Sequence, residues 1–328
     1  MIEKVIETIK KYNLIEDGDK IILAVSGGPD SISMLDILYK IQQNEKINFK
    51  IVVAHVNHMI REEAMEDAIY VKNFCKKRNI EFYLKSIDVK KIANNNKIGT
   101  EEAGRKERYK FFDELAKKIN ANKIAIAHNR NDNVETVFMH ILRGTGINGL
   151  KGIEPKRGMY IRPLIECERR EIEEYCEENN LEPRIDKTNF ENIYTRNKIR
   201  NVLIPYVQKE FNQNIVQTID RLSKLVIEEE EYMDKQVKKV FNDLLLFEDE
   251  KEIQIDLKKF NNLEKVIKSR LILYTITRIF GSSERIEKIH IEDIIKLCSN
   301  NIGNKFLTPN KNIKILVKNH KIYFLSQV

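Results

Sequence analysis

A chain of 328 residues, 42% of them hydrophobic, is long enough for two or three domains of roughly 100–200 residues with sizeable cores. No apolar run reaches the roughly 18 residues of a membrane span. The N-terminal MIEKVIETIKKYNL lacks the apolar block and cleavage site of a signal peptide, so a soluble cytoplasmic protein is expected. The net charge of +7 suits a polyanionic partner, although Lys, Ile and Asn run high throughout and the same bias also serves solubility.

In chain order, Ile2, Val5, Ile6 and Ile9 follow helical spacing. IILAV (21–25) is a short aliphatic strand, and Ile32, Leu35, Leu38 and Ile41 mark a helix over 31–43. FKIVVAHVN (49–57) reads as a second buried strand, followed by a helix over 62–78 with Ala64, Ala68, Val71 and Cys75 on one side. EFYLKSI (81–87) is a third strand. KKIANNNK (90–97) is expected to be a mobile loop before a helix over 101–119 that is capped by Thr100. That helix should turn Tyr109, Phe112, Leu115 and Ile119 inward. KIAIAH (123–128) is a fourth strand, and the helix NVETVFMHILRG follows. Strands apolar along their length and separated by helices predict an α/β fold with a doubly wound parallel sheet. Such sheets bind ligands at the C-terminal ends of their strands.

Beyond residue 213 the pattern becomes that of a mostly helical second domain, expected over 214–328 after a catalytic domain over 1–213. The long amphipathic run from 215 to 246, VIKSRLILYTITRIFG and HIEDIIKLCS are its helices. The tail from residue 304 alternates like a β-hairpin or small sheet. Cys75, Cys167, Cys176 and Cys298 form neither a CxxC pair nor zinc-type spacing, so reduced thiols and no structural metal are expected.

The stretch SGGPDS (26–31) joins the first strand to the next helix. Gly27 and Gly28 permit backbone angles closed to other residues and allow close approach to the main chain. The helix that follows aims free N–H groups and the positive end of its dipole at the same space. Ser26 and Ser31 add hydroxyls, completing a phosphate cradle. No GxxxxGK[ST] sequence is present, so this is not a Walker loop. Asp30 suits such a site if Mg²⁺ bridges it to phosphate oxygens.

SGGPDS resembles the SGGxDS motif of the PP-loop ATP pyrophosphatases, with their adenine nucleotide alpha-hydrolase-like fold. Further segments resemble the tRNA(Ile)-lysidine synthetases within that superfamily. These are AHVNHMIREEAMED (54–67), EEAGRKERYKFF (101–112), AHNRNDNVETVFMHILRGTGINGLKGI (127–153), IRPLI (161–165) and IDKTNFENIYTRNKIRNVLIP (185–205), in the family's order over the first ~210 residues. The resemblance implies a tRNA(Ile) with a CAU anticodon, free L-lysine, ATP and Mg²⁺. ATP would adenylate the O2 of the wobble cytidine, and the lysine ε-amine would then displace AMP. The resemblance also suggests a homodimer.

On that resemblance Ser26, Gly27, Gly28, Pro29, Asp30, Ser31, Ala54, His55, Val56, Arg105, Arg143 and Gly144 are expected to bind ATP. Asp30, Arg105 and His128 are expected to act in catalysis, with Asp30 also holding Mg²⁺. Asp132 and Glu135 are expected on lysine, and Arg108, Arg196, Lys198 and Arg200 on tRNA. Each has a plainer reading: solvated charge for the arginines, a structural role for His128, helix-dipole complement for Asp132 and Glu135, a C-cap at 143–146 and a core strand end at 54–56. Asp30 could equally be a general base. The chain departs from the family at Asn129, Asn131 and Asn133, which stand in place of a His, an Asp and a Gln. A cytidine thiolase is the first alternative and lacks its usual paired cysteines here. A non-catalytic nucleotide- or RNA-binding module is the second.

Overall fold

The expected N-terminal helix forms as α1 (Ile2–Lys11) and buries Val5 and Ile9. The computed structural model describes residues 1–44, 47–59, 64–184, 194–282, 286–300 and 305–327. The chain divides into two compact units, Met1–Val226 and Ile227–Val328.

In the first unit, β1 (Lys20–Ala24), α2 (Pro29–Gln43), β2 (Lys50–Asn57), α3 (Ala64–Lys76) and β3 (Glu81–Ser86) alternate as the apolar pattern requires. Two helices follow, α4 (Val89–Asn96) and α5 (Thr100–Ile119), then β4 (Lys123–Ile126) and α6 (Arg130–Leu142). After α7 (Ile147–Leu150), the short strands β5 (Lys156–Arg157) and β6 (Tyr160–Ile161) form a small antiparallel pair before α8 (Arg169–Glu178). The sheet order is β3-β2-β1-β4-β6-β5, parallel except at β5. Register places Leu23 beside Val53 and Ala125, so the central strand is apolar on both flanks. Ile32, Leu35, Leu38 and Ile41 of α2 are all buried against the sheet. Each such side chain contributes roughly 1.5–3 kcal/mol by leaving water.

Two local expectations are corrected. Residues 90–97 are not a loop: Asp88 caps α4 by accepting the Lys91 N–H at 3.0 Å, and Lys97 ends it with a φ of 53°. Val89 and Ala93 are buried, which offsets the poor helix propensity of the asparagines that follow. Thr100 does not cap α5; Gly99 occupies that position and no side chain caps it. Phe112 and Leu115 of α5 are buried as expected, whereas Tyr109 and Ile119 are only half-buried. The beginning of the helix expected from residue 62 lies outside the described residues, as do 60–63 and 185–193 of the quoted segments.

The chain continues through α9 (Thr195–Lys198), a π-helical turn (Ile199–Leu203), α10 (Ile204–Glu210) and the long α11 (Ile215–Leu244). In the second unit, β7 (Leu245–Glu248), β8 (Glu252–Asp256), α12 (Leu257–Asn261), α13 (Lys265–Phe280) and α14 (Lys288–Ser299) precede β9 (Lys305–Asn310), β10 (Ile313–Lys318) and β11 (Lys321–Ser326). Its sheet, β7-β8-β11-β10-β9, is larger than the expected tail hairpin because β7 and β8 join it. Phe241, Ile253, Phe260, Ile272, Ile315 and Phe324 share its core. All four cysteines are buried free thiols. Among the described residues no helix is long and apolar enough to cross a membrane.

Candidate active site

The SGGPDS turn lies where β1 ends and α2 begins. Gly27 takes a φ of 99°, a region that L side chains avoid, while Gly28 precedes the helix and Pro29 opens it. This turns the chain so that backbone N–H groups face one point. The Ser31 hydroxyl occupies that point, accepting the N–H groups of Ser26 and Gly27 at 3.1 Å each and donating to the Gly28 carbonyl at 3.0 Å. The turn thereby aims two backbone N–H groups, held here by the Ser31 hydroxyl, at one point by the positive end of a 15-residue helix, where a phosphate oxygen could take the hydroxyl's place. The Arg184 N–H donates to the Gly27 carbonyl at 2.9 Å, fixing the outer side of the turn.

Asp30, in the first turn of α2, accepts a hydrogen bond from Asn129 Nδ2 at 2.8 Å. Burial, then the nearby charge of Asp132, pushes the Asp30 carboxyl up to about 6. Asn129 is also the N-cap of α6: its carbonyl accepts the Asp132 N–H at 3.0 Å, and Asp132 accepts the Asn129 N–H at 3.1 Å. Asn129 thus joins the phosphate turn to the first carboxylate of α6, with its side-chain amide on Asp30 and its backbone N–H on Asp132. Burial also opposes ionisation of Asp132, but the guanidiniums of Arg196, Arg169 and Arg200 around it outweigh this and hold that carboxyl low. Two adjacent carboxyls are therefore driven in opposite directions, which is how sites separate acid and base roles.

Asp132 and Glu135 lie one turn apart on α6, as the sequence indicates, and each meets arginines. Arg200 donates to Glu135 at 2.6 and 2.8 Å and to Asp132 at 3.0 Å. Arg169 lies 3.7 Å from Asp132 and 3.6 Å from Glu135, and Arg196 lies 3.4 Å from Glu135 while donating to Thr136 at 2.7 Å. Arg196 and Arg200, expected on tRNA phosphates, are thus turned onto the two carboxylates expected to hold lysine. The physical reason is burial: the Glu135 side chain has 0% exposure and requires cations around it, whereas Asp132 keeps 11%. Of the three basic residues expected on tRNA in this segment, Lys198 alone is exposed. The π-helical turn carries Arg200 at its second residue, and such turns concentrate at functional positions.

His128 lies two residues beyond the last residue of β4, not within the strand, and its Nδ1 accepts the Arg162 Nε–H at 3.2 Å. Burial, with further repulsion from Arg162, Arg196 and Arg108, pushes its imidazole down to about 4. Arg105 is exposed with its guanidinium 5.2 Å from the Tyr109 ring, while Arg108 is half-buried, so the two do not present one equally accessible face. Ala54 pairs with Ala24 and Tyr83 in the sheet, and its carbonyl accepts the Val25 N–H at 3.0 Å. His55 is buried with Nδ1 2.8 Å from the Val25 carbonyl, and Val56 is half-buried beside Lys85. His55 therefore fastens β2 to the start of the phosphate turn. Arg143 and Gly144 form an exposed turn after α6, with Gly144 at a φ of 77°.

Three further residues carry no assignment from the sequence. Arg162 sits inside the quoted IRPLI segment. Arg169 belongs to no motif and is placed by Asn131, whose side-chain carbonyl accepts the Arg169 N–H at 3.0 Å. His58 has a buried Nδ1 with no hydrogen-bond partner among the described residues, and burial followed by the Arg108 charge pushes it down to about 4. No cluster of three or more His, Cys, Asp or Glu side chains able to hold a metal occurs among the described residues.

The PP-loop domain family profile matches residues 1–207. The tRNA(Ile)-lysidine synthase of Clostridium acetobutylicum is 49% identical over 312 residues, covering 94% of this chain and 67% of that protein. The tRNA(Ile)-lysidine synthase of Clostridioides difficile is 45% identical over 327 residues, covering 99% of this chain and 70% of its own. That of Geobacillus kaustophilus is 31% identical, covering 96% and 68%. The chain therefore spans about two thirds of the length of these relatives. Among solved structures, the U34-tRNA thiolase NcsA from Methanococcus maripaludis superposes with a TM-score of 0.54 at 19% identity, over 68% of this chain and 78% of its own, a likeness of fold alone.

Proposed function

This chain belongs to the tRNA(Ile)-lysidine synthase family of PP-loop proteins, and from that premise we propose how its residues divide the reaction. The substrates are tRNA(Ile) with a CAU anticodon, ATP with Mg²⁺, and free L-lysine, meeting in the cytoplasm. The cytidine O2 attacks the α-phosphorus. The bond to the bridging oxygen breaks, and pyrophosphate leaves with the electron pair. The lysine ε-amine then attacks C2, the C2–O2 bond breaks, AMP departs, and the proton lost from nitrogen passes to solvent.

The observation that supports this assignment is the Asn129 bridge, which links Asp30 beside the SGGPDS turn to Asp132 at the start of α6. Ser26, Gly27, Gly28 and Ser31 bind the departing pyrophosphate through backbone N–H groups and hydroxyls. Asp30 would hold the Mg²⁺ that accompanies ATP, and a cation there would favour the ionised form of a carboxyl that burial otherwise pushes up. Asp132, the less enclosed of the two α6 carboxylates, receives the ammonium group of lysine. Glu135, fully enclosed, acts through the arginines it holds. Arg105 lies beside the nucleotide, and Arg108 and Lys198 approach the tRNA backbone.

The test is ATP-dependent incorporation of labelled lysine into bulk bacterial tRNA, compared with Asp30→Ala. Label that withstands deacylating alkali and is lost in Asp30→Ala is expected. Equal incorporation by the two proteins would overturn the assignment of the turn. Pyrophosphate release without tRNA would point instead to an amide synthetase acting on a small acid.

A further inference from the structure

We propose that Arg162 is a positioning residue that fixes His128 as a neutral imidazole with its proton on Nε2, making the ring a hydrogen-bond donor in the site and not a general base. This rests on the reading above for the reaction that it serves, but its geometry stands independently. Arg162 is buried at 7% exposure, emerges just after β6, and donates through Nη1 to the Glu154 carbonyl at 2.6 Å. That bond anchors the guanidinium on the main chain, with Nε–H 3.2 Å from His128 Nδ1. A guanidinium has donors only and stays protonated in proteins. The nitrogen it meets must therefore be the bare, accepting one. In a neutral imidazole the proton is then on Nε2.

A second proton is disfavoured by the surroundings. Burial is the larger cause, followed by charges from three elements: Arg162 beside β6, Arg196 on α9 and Arg108 on α5. Asp132 on α6 is the one opposing charge and is itself engaged by Arg200 and Arg169. A base needs a free lone pair. Here the Nδ1 lone pair is committed to Arg162. His128 is next in sequence to Asn129, which touches Asp30, so the ring belongs to the strand end where the phosphate turn opens. A fixed neutral donor there would stabilise an oxygen that gains negative charge during transfer. The imidazole supplies that donor without adding another full charge to an arginine-rich site.

The direct measurement is ¹⁵N NMR of the full chain with ring-labelled histidine, assigning His128 by its loss in His128→Gln. The expected wild-type spectrum shows protonated Nε2 and bare Nδ1, unchanged from pH 8 to pH 5.5. Arg162→Gln should give a mixture of tautomers or an imidazolium that titrates near pH 6. Arg162→Lys, which restores a cationic donor, should return at least part of the Nε2–H population. A wild-type proton on Nδ1, or an unchanged tautomer in folded Arg162→Gln, overturns the proposal. In lysine incorporation, His128→Gln retains an amide N–H donor but cannot act as a base at neutral pH. It should keep kcat within about tenfold of wild type, whereas His128→Ala should lose on the order of 10²–10³-fold, the scale of a deleted charge-stabilising donor. Equal losses in both variants would also overturn it. The NMR result does not depend on the substrate, so failure of the reaction assignment and failure of the tautomer assignment are distinguishable.

Discussion

Asp30→Asn separates what the folded chain needs from what the reaction needs. Asn is isosteric with Asp, and its carbonyl can still accept the Asn129 Nδ2 hydrogen bond seen at 2.8 Å, so this contact survives. What disappears is a carboxylate charge opposed by burial and by Asp132. Raising that group from 3.8 to about 6 on folding corresponds to about 3 kcal/mol of destabilisation of the ionised wild type. The sign follows from which state ionises first. Below pH 3.8 both states are protonated and no penalty exists. Between there and pH 6 the unfolded chain ionises while the folded one resists, so wild-type stability falls as pH rises. Above pH 6 the penalty is complete. Asp30→Asn should therefore be more stable than wild type at pH 7.5, by up to about 3 kcal/mol, with the gap closing as pH falls from 6 to 4. Urea denaturation at pH 4.5, 6 and 7.5, followed by far-UV circular dichroism, measures this directly. ATP–Mg²⁺ should raise the wild-type midpoint and leave the variant's unmoved, because ligand binding to the folded state alone is what shifts it. A variant no more stable at pH 7.5, or one whose advantage is the same at pH 4.5, would refute the view that Asp30 is held against its preference.

Gly27→Ala should cost roughly 1–2 kcal/mol and strongly weaken ATP binding by isothermal calorimetry, because a φ of 99° strains any L residue although the nearest atom to the new Cβ would be 3.6 Å away. Gly18→Ala, at a φ of 85° with nothing within 4 Å, should show the same stability cost by thermal melting and no change in ATP affinity. Glu135→Ala should lose about 3 kcal/mol in denaturant titration, near the lower end for a broken buried pair, because its arginine partners keep 22–29% exposure. Asn131→Ala should cost about 1 kcal/mol by removing the acceptor of the Arg169 N–H, with KM for lysine rising more than KM for ATP.

Much of the first unit is legible because its signals are local. Aliphatic runs mark β1, β2 and β4, and the glycine pair with Pro29 and Asp30 marks the phosphate turn. The loop reading of 90–97 failed because three consecutive asparagines suggest a break, whereas Asp88 capping and burial of Val89 and Ala93 decide for helix. β7 and β8 form a local hairpin, but its place in the sheet escapes notice because it depends on β8 pairing with β11 some 70 residues on. Arg196 and Arg200 read from the sequence as contacts to tRNA phosphates, because the partners they meet in the fold lie 60 or more residues earlier, at Asp132, Glu135 and Thr136. Arg162 and Arg169 show no periodicity at all, and only the folded chain brings them to His128, Asp132 and Glu135.

The three asparagines that depart from the family pattern acquire a common explanation. Each sits at the N-terminal end of α6, and each uses its amide to tie that end to a different segment. Asn129 reaches the phosphate turn, Asn131 reaches the start of α8, and Asn133 accepts the Ile153 N–H at 2.7 Å while donating to Ser223 at 3.3 Å. Where the family pattern has a His at position 129, Asn129 donates to Asp30 and accepts the Asp132 N–H through one side chain. A neutral side chain that both donates and accepts meets the need with no added charge. At position 131, Asn removes one carboxylate from a helix turn that still carries Asp132 and Glu135, and the arginines around them then have fewer charges to balance. The change at 131 removes one negative charge from the α6 N-terminus, and all three amides tie that end to other segments of the unit.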